Sequence, residues 1–296
     1  MKKTVFITII GRPNVGKSTL LNAMLGEKIA ITSAKPQTTR TRITGILTKG
    51  ENQYVFLDTP GMHKPQTRLG SYMMKATAGA GSEADVVLYM VEADKPQNQI
   101  EKEMLDKLSK EKVPVILLIN KIDQIPKEKI LKCIAEFSER YHFDAVIPIS
   151  ALQCDGLDLI LNHIDSYLVE SPWMFPDSMI TDQPERQIVS EVIREKLLFA
   201  LEDEIPHGTA VVIEDFKETA KRIRIRAEIY CERESHKGII IGKNGAVLKK
   251  VGTLARQDLE RFFNTKIYLD LWVKVKKKWR DNPSALSNFG FDSNNL

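Results

Sequence analysis

This 296-residue sequence lacks the marks of several protein classes. Its three cysteines, Cys133, Cys154 and Cys231, are scattered and form no CxxC pair. Such a set supports neither a disulfide framework nor a zinc site, and fits a reducing cytoplasm. No apolar run approaches the roughly 18 residues that a membrane span needs. Met1-Lys2-Lys3 before the apolar run 4–10 imitates a signal peptide, but the run meets Gly11-Arg12-Pro13 and no small-residue cleavage site follows. A buried first strand is expected there instead. Internal repeats are absent. With 43% hydrophobic and 28% charged residues, 16 Gly and 13 Pro, the chain is neither collagen-like, nor wholly disordered, nor a coiled-coil rod. Its length suggests two domains.

A strong excess of one charge is missing too: 43 basic against 39 acidic residues leave +4. The sum hides an asymmetry. Residues 217–280 hold 18 Lys and Arg against 7 Asp and Glu, a net +11, and the remainder carries −7. A block that basic in an otherwise acidic chain suits a polyanion-binding surface, although a solvated basic face would look the same on charge alone.

What is present in the first half is an alternation of short apolar runs with helical stretches. Strands are expected at 4–10, 44–47, 54–57, 85–91, 113–119 and 145–149, with helices between most of them, for example 99–110 and 127–140. Near-continuous apolar runs imply strands covered on both faces. Lys49-Gly50-Glu51-Asn52 joins the second and third strands as a hairpin. The rest follows βαβ order, giving an α/β fold with a mostly parallel sheet and one antiparallel strand. Pro172, Pro176 and Pro184 break the periodicity in 170–185, which reads as an interdomain linker. A helix is expected over about 187–201, and the Asn/Ser-rich end, 285–296, is expected to be loosely held.

Gly11-Arg12-Pro13-Asn14-Val15-Gly16-Lys17-Ser18 fits G-x-x-x-x-G-K-[ST] between an expected strand and an expected helix. Glycines let backbone N–H groups wrap phosphate oxygens, and the helix N-terminus adds positive potential. Lys17 would reach the β- and γ-phosphates, and Ser18, followed by Thr19, would ligate Mg²⁺. A chance match in this length is on the order of one in a hundred. Asp58-Thr59-Pro60-Gly61 follows the third strand: Asp58 suits Mg²⁺, and the Gly61 N–H suits the γ-phosphate. Asn120-Lys121-Ile122-Asp123 ends the fifth strand. The Asp123 carboxylate can accept from guanine N1–H and the exocyclic amine, a donor pair adenine lacks. Lys121 can lie along the base, and Asn120 can tie loops together. Ser150-Ala151-Leu152 could offer an N–H to guanine O6.

Singly these motifs are weak; in this order and at strand ends they resemble the P-loop GTPases over about residues 1–168. That resemblance implies GTP and GDP as ligands, Mg²⁺ as cofactor and GTP hydrolysis as the reaction. Thr38 and Thr39, in the loop from Thr32 to Arg40, suit a first switch whose hydroxyl meets Mg²⁺. Thr39 is favoured because the Thr-Arg pair resembles bacterial assembly GTPases, with Thr38 the alternative. The second switch is expected from Asp58 to about Ser82, with the run 76–81 as a flexible end. Many GTPases place Gln directly after the glycine of DxxG to orient water. Met62 stands there, so hydrolysis is expected to be slow or managed otherwise. In related GTPases, an Asn at the position of Asn14 goes with a potassium ion beside the phosphates; a braced turn residue is the plainer alternative.

In the basic block, Arg222, Arg224 and Arg226 alternate with Ile223, Ile225 and Ala227, a strand pattern. Gly242-Lys243-Asn244-Gly245 follows an Ile-Ile-Ile run. Beyond it, apolar residues from Val247 to Phe263 form a helix stripe opposite Lys249, Lys250, Arg256 and Arg261. A last strand carries Ile267, Leu269, Leu271, Val273 and Val275 on one face. Helix–GXXG–helix in this setting resembles the KH RNA-binding module of type-2 topology, an α+β fold whose GXXG loop clamps single-stranded backbone. Lys274, Lys276, Lys277, Lys278 and Arg280 extend the basic surface.

Together the parts resemble the bacterial ribosome-assembly GTPases. Residues 1–169 are expected to be the GTPase domain, 170–185 a linker, 186–280 the KH domain and 281–296 a tail. The resemblance implies binding near the 3′ end of 16S ribosomal RNA on the 30S particle. It also implies a cytoplasmic monomer in peripheral contact with the inner membrane, and no role for DNA. The alternative is a C-terminal domain that docks protein or membrane.

Overall fold

A computed structural model of the protein describes residues 1–61, 65, 67–78, 84–95, 99–219 and 221–291. The first half forms a sheet of order β2-β3-β1-β4-β5-β6. Its strands are β1 (Lys3–Gly11), β2 (Ile43–Lys49), β3 (Asn52–Asp58), β4 (Val86–Glu92), β5 (Val115–Asn120) and β6 (Ala145–Pro148). All neighbours pair in parallel except β2 with β3. A two-residue strand, β7 (Val169–Glu170), adds antiparallel to the start of β1 and was not expected.

The continuous apolar runs have the expected cause. In β4, Leu88 and Met90 join a core with helices α1 (Lys17–Leu25) and α5 (Leu157–Ile164), while Val87, Tyr89 and Val91 join another with α3 (Gln99–Glu111) and α4 (Lys127–Ser138). Side chains alternate across a pleat, so only a strand covered on both sides is apolar at every position. Because β1 pairs with β3 on one side and β4 on the other, the chain direction divides at the carboxyl end of β1, where open α/β sheets bind ligands.

Residues 171–184 hold neither helix nor strand, yet they are fastened to the sheet. Ile46 N donates to Ile180 O, Thr181 Oγ1 to Thr44 O, and Gln53 both donates to Phe175 O and accepts from Met174 N and Phe175 N. The free edge of β2 and the buried amide of Gln53 are thereby satisfied.

Beyond it, α6 (Glu185–Ala200) precedes a sheet of β8 (Ala210–Thr219), β9 (Arg222–Cys231) and β10 (Ile267–Val275) in the order β10-β9-β8. The β8–β9 pair is antiparallel and the β9–β10 pair parallel. Between β9 and β10 stand α7 (Glu234–Ile241) and α8 (Ala246–Phe263), joined by the GXXG turn. Ile223, Ile225, Ala227 and Ile229 face α6 and α8 in one core, as their alternation requires.

The chain end departs from expectation. Instead of a loose tail from 285, Pro283–Asn288 forms a short helix, α9, capped by the Asn282 side chain on Ala285 N. Ala285 and Leu286 are buried beside Trp279, which is fully buried. Phe289 and Phe291 close over the Trp279 ring, and Phe291 meets Tyr72 edge-on at 5.7 Å. Tyr72 lies on α2 (Arg68–Ala78), inside the span expected for the second switch, so this aromatic cluster joins the two halves of the chain. Its aromatics are spread over 200 residues, which kept it out of any local pattern. Met62 and the 79–82 end of the expected second switch lie outside the described residues.

Candidate functional site

At the carboxyl end of β1 the backbone turns sharply into α1. Gly16 has φ 108°, and a Cβ there would come within 2.2 Å of Asn120 Nδ2. Gly61 passes so close to Pro13 that a Cβ would sit 2.6 Å from its backbone. Only glycine allows either approach. Asn14 holds φ 65°. Its Nδ2 donates to Ala34 O at 2.7 Å, bracing the phosphate loop against the first switch rather than against its own turn. Arg12 points away from the loop to pair with Glu101 at 2.9 Å, so only its backbone serves the site.

These elements surround a cavity of about 450 Å³ lined by Asn14, Lys17, Ser18, Thr19, Thr39, Gly61 and Lys121, among others. The buried Lys17 ammonium donates to Gly11 O at 3.2 Å and Arg12 O at 2.9 Å. Burial pulls its pKa down to about 8, against the attraction of Asp58. Asp58 is fully buried, and burial pushes its pKa up to about 6, opposed by Lys17 and Ser18. Ser18 Oγ donates to Asp58 Oδ2 at 2.7 Å and lies 2.9 Å from Thr39 Oγ1. Thr38 turns the other way, donating to Lys35 O. Asp58 Oδ1 is buried without a partner among the described residues. Two hydroxyls and a carboxylate with a spare oxygen are hard donors that suit Mg²⁺, which takes few protein ligands beside water and phosphate. Thr59 Oγ1 donates to Ile9 O, fastening the Thr59-Pro60-Gly61 turn to β1.

At the opposite end, Asn120 Nδ2 donates to Val15 O at 2.7 Å and its Oδ1 accepts from Ala151 N at 2.9 Å, joining three loops. Lys121 (φ 64°) donates to Asn14 O and pairs with Glu92. Asp123 is exposed and accepts from Ser150 Oγ at 2.6 Å, which aims its carboxylate. The Ser150 and Ala151 N–H groups are committed to Asp155 O and Asn120 Oδ1. A guanine O6 would therefore share the Ala151 N–H or take that of Leu152.

The residues expected to meet RNA divide. Gly242 (φ 73°), Asn244 (φ 52°) and Gly245 (φ 76°) form a tight turn, with Lys243 and Asn244 exposed at its tip and Lys249 and Lys250 exposed along α8. A Cβ on Gly242 would meet Val247 Cγ2 at 2.5 Å, whereas Gly245 faces open space. Arg222 and Arg224 are exposed on the face of β9 opposite the helices, so they do not converge with the GXXG turn. Beside them stand two exposed aromatics that the sequence reading passed over. Tyr268 lies 5.6 Å from the Arg224 guanidinium, and Trp272 is 58% exposed. The β10 alternation was their signal.

Two families match different parts of the chain. A family described as "50S ribosome-binding GTPase" matches residues 6–121, and a KH domain family matches 204–280. GTPase Era of Ruminiclostridium cellulolyticum is 50% identical over 293 residues, covering 99% of this chain and 98% of that protein. The chain belongs to the Era GTPase family. The GTPase Era of Clostridium kluyveri is 49% identical over 98% of the chain and the whole of that relative. Among solved Era structures, one in complex with MgGDPNP and nucleotides 1506–1542 of 16S ribosomal RNA is 40% identical, with a TM-score of 0.94 over 98% of this chain and 99% of that one. An Aquifex aeolicus Era variant bound to GDP·AlF4⁻ matches equally well. As a family member the chain is a GTPase, with GTP or GDP and Mg²⁺ as its ligands.

Sequence reasoning missed how the Era-type halves meet. Glu195 on α6 accepts from Lys28 at 2.6 Å and from Thr32 N at 2.9 Å; Lys28 and Lys196 both reach Asp258 on α8. Arg194 donates to Thr38 O, Arg40 to Thr209 O and His207 O, and Lys35 to Leu201 O. All these first-half partners lie within 28–41, the stretch that reaches the nucleotide pocket through Thr39.

Proposed function

We infer that this chain is a GTP-driven switch that binds the 3′ region of small-subunit ribosomal RNA and acts in maturation of the 30S particle. The convergence of Ser18, Thr39 and Asp58, in a chain that also presents a GXXG turn, carries the reading. Backbone N–H groups of the loop from Gly11 to Thr19 would hold the phosphates, with the Lys17 ammonium on the β- and γ-oxygens. Ser18, Thr39 and Asp58 would hold Mg²⁺, which when bound neutralises charge on those oxygens. The Gly61 N–H would sense the γ-phosphate. Asp123, aimed by Ser150 and flanked by Lys121, would select guanine. Asn14, whose Nδ2 is spent on Ala34 O, would help hold K⁺ through its carboxamide oxygen. Equal turnover in sodium and potassium buffers would remove that assignment.

Residues 1–169 would act as the GTPase unit, 170–185 as its strapped connection and 186–280 as the RNA clamp. Gly242, Lys243, Asn244 and Gly245 would grip the RNA backbone, with Lys249 and Lys250 beside them; Arg222 and Arg224 would form a separate basic face. The chain would work as a cytoplasmic monomer, touching the membrane only peripherally; among the described residues no helix is long and apolar enough to cross one. The test is binding of a 16S 3′-end oligonucleotide in GTP-analogue and GDP states. Gly245→Asp adds a carboxylate where there is open space and should abolish RNA binding while sparing basal GTP hydrolysis. Wild-type RNA affinity that is unchanged by this substitution, or identical in both nucleotide states, would refute the reading.

A further inference from the structure

A second cavity, of about 190 Å³, lies in the seam between α6, β8 and the C-terminal segment. Its charged lining is three guanidiniums, Arg40, Arg186 and Arg194, against one carboxylate, Glu191. Arg40 and Arg194 are each only 2% exposed. Both Glu191 oxygens are committed to Arg194, at 2.8 Å from Nε and 2.5 Å from Nη2. Among the described residues Arg40 hydrogen-bonds only to carbonyls, Thr209 O at 2.7 Å and His207 O at 2.9 Å, and its guanidinium stands 5.9 Å from the Trp279 ring. Arg186 spends one nitrogen on Ile213 O. Arg40 Nε and Arg194 Nη1 are buried with no partner among the described residues.

Two buried cations sharing one carboxylate leave an uncompensated charge, which proteins meet with a bound counter-ion. Burial, and next the nearby Arg194, pull the Arg40 pKa down to about 9, consistent with a positive field in the seam. Planar guanidiniums favour tetrahedral and carboxylate oxyanions through charge-assisted hydrogen bonds. With about 30 Å³ per water molecule, the cavity holds roughly six waters' worth of volume. That admits a phosphate-sized ion with some water, and is less than half the volume of the nucleotide pocket.

We propose that this cavity is a second anion site, in which Arg40, Arg194 and Arg186 bind a phosphate-type oxyanion between the nucleotide switch and the RNA-binding half. Its position gives it a consequence. Arg40 directly follows Thr39, and Arg194 holds Thr38 O, so an ion here ties the 38–40 backbone to α6. Binding is reciprocal: phosphate tightens GTP-analogue binding by the factor with which the analogue tightens phosphate.

The test uses the full chain saturated with a non-hydrolysable GTP analogue and Mg²⁺, so that phosphate cannot enter the γ-phosphate position. Inorganic phosphate is titrated calorimetrically at constant ionic strength against chloride, with glycerol phosphate as an esterified probe. The expected result is one saturable phosphate site, weakened about ten- to a hundred-fold by Arg194→Gln and also weakened by Arg186→Gln, which replaces an exposed residue and so leaves the fold intact. Binding of phosphate alone assigns the free ion. Equal binding of glycerol phosphate assigns a phosphoryl group on a larger ligand, and both results support the site. No saturable binding to the wild type, or affinity unchanged in both variants, overturns it.

Discussion

Removing the Asp58 charge should stabilise the ligand-free protein while disabling it. Burial raises the Asp58 pKa from its ordinary 3.8 to about 6. A carboxyl group raised in this way favours folding below pH 3.8, and that contribution is lost as pH climbs through 6. Relative to a neutral side chain, the fold then carries a penalty of about 3 kcal/mol at neutral pH. Asp58→Asn keeps the shape and drops the penalty, but Lys17 loses the carboxylate that partly offsets its own burial. A net gain of about 1–2 kcal/mol remains, about 2–8 °C in Tm for a unit of this size. The assay is thermal unfolding of nucleotide-free wild type and variant from pH 4 to pH 7. The Tm gap should be near zero at pH 4 and grow toward pH 7. With Mg²⁺ and GTP the order should invert, because ligand stabilisation follows affinity and the variant lacks the carboxylate that would hold Mg²⁺. A less stable ligand-free variant at pH 7, or a gap of the same size across the range, would refute the reasoning.

Thr39→Ala should cut the preference for Mg²⁺·GTP over GDP and lower the GTP hydrolysis rate, whereas Thr38→Ala should cost only its hydrogen bond to Lys35 O, about 1 kcal/mol of stability; filter binding and phosphate release would show which threonine matters. Trp279→Ala should destabilise by about 3–5 kcal/mol, since it empties a fully buried site and strands the Gly208 carbonyl it caps at 2.9 Å. A Tm drop no larger than that of an exposed substitution would show that the aromatic cluster carries no load.

The mostly parallel sheet, its one antiparallel hairpin and the motifs of the nucleotide loops were legible because their signals are local. A strand buried on both faces is apolar at each position, as in Val86–Glu92, and a phosphate loop needs glycines at fixed spacing. The alternation in β9 and β10 placed Ile223 and Ile225 inward by the same logic. It also turned Arg222 and Arg224 away from the GXXG turn, a consequence that reading the basic block as one surface concealed. Nothing local marks Trp279 as the centre of a cluster with Tyr72, Ala210 and Phe291, because those partners meet only after both halves fold. Composition misled as well: an Asn- and Ser-rich end looks loose, yet Asn282 serves as a helix cap and Leu286, Phe289 and Phe291 supply the packing.

The least legible feature has the greatest consequence for a switch. Residues 28–41 meet the nucleotide cavity through Asn14, Ser18 and Thr39, and meet α6 and the segment before β8 through Lys28, Thr32, Thr38 and Arg40. Each half of the chain thus holds the same backbone by different groups. The carbonyl of Thr38 and the guanidinium of Arg40 stand where α6 and Thr209 take them, and Thr39 between them is the residue that would hold Mg²⁺. On the proposed reading, loss of the γ-phosphate would release the Thr39 anchor and leave the seam alone to fix this loop. Since a ligand shifts an equilibrium only by its differential affinity for the two states, such an anchor would set an upper bound on how far nucleotide can move the RNA-binding half. The buried Arg40 and Arg194 set the opposing bound, because undocking would expose their charge to water and relieve the very crowding that docking imposes.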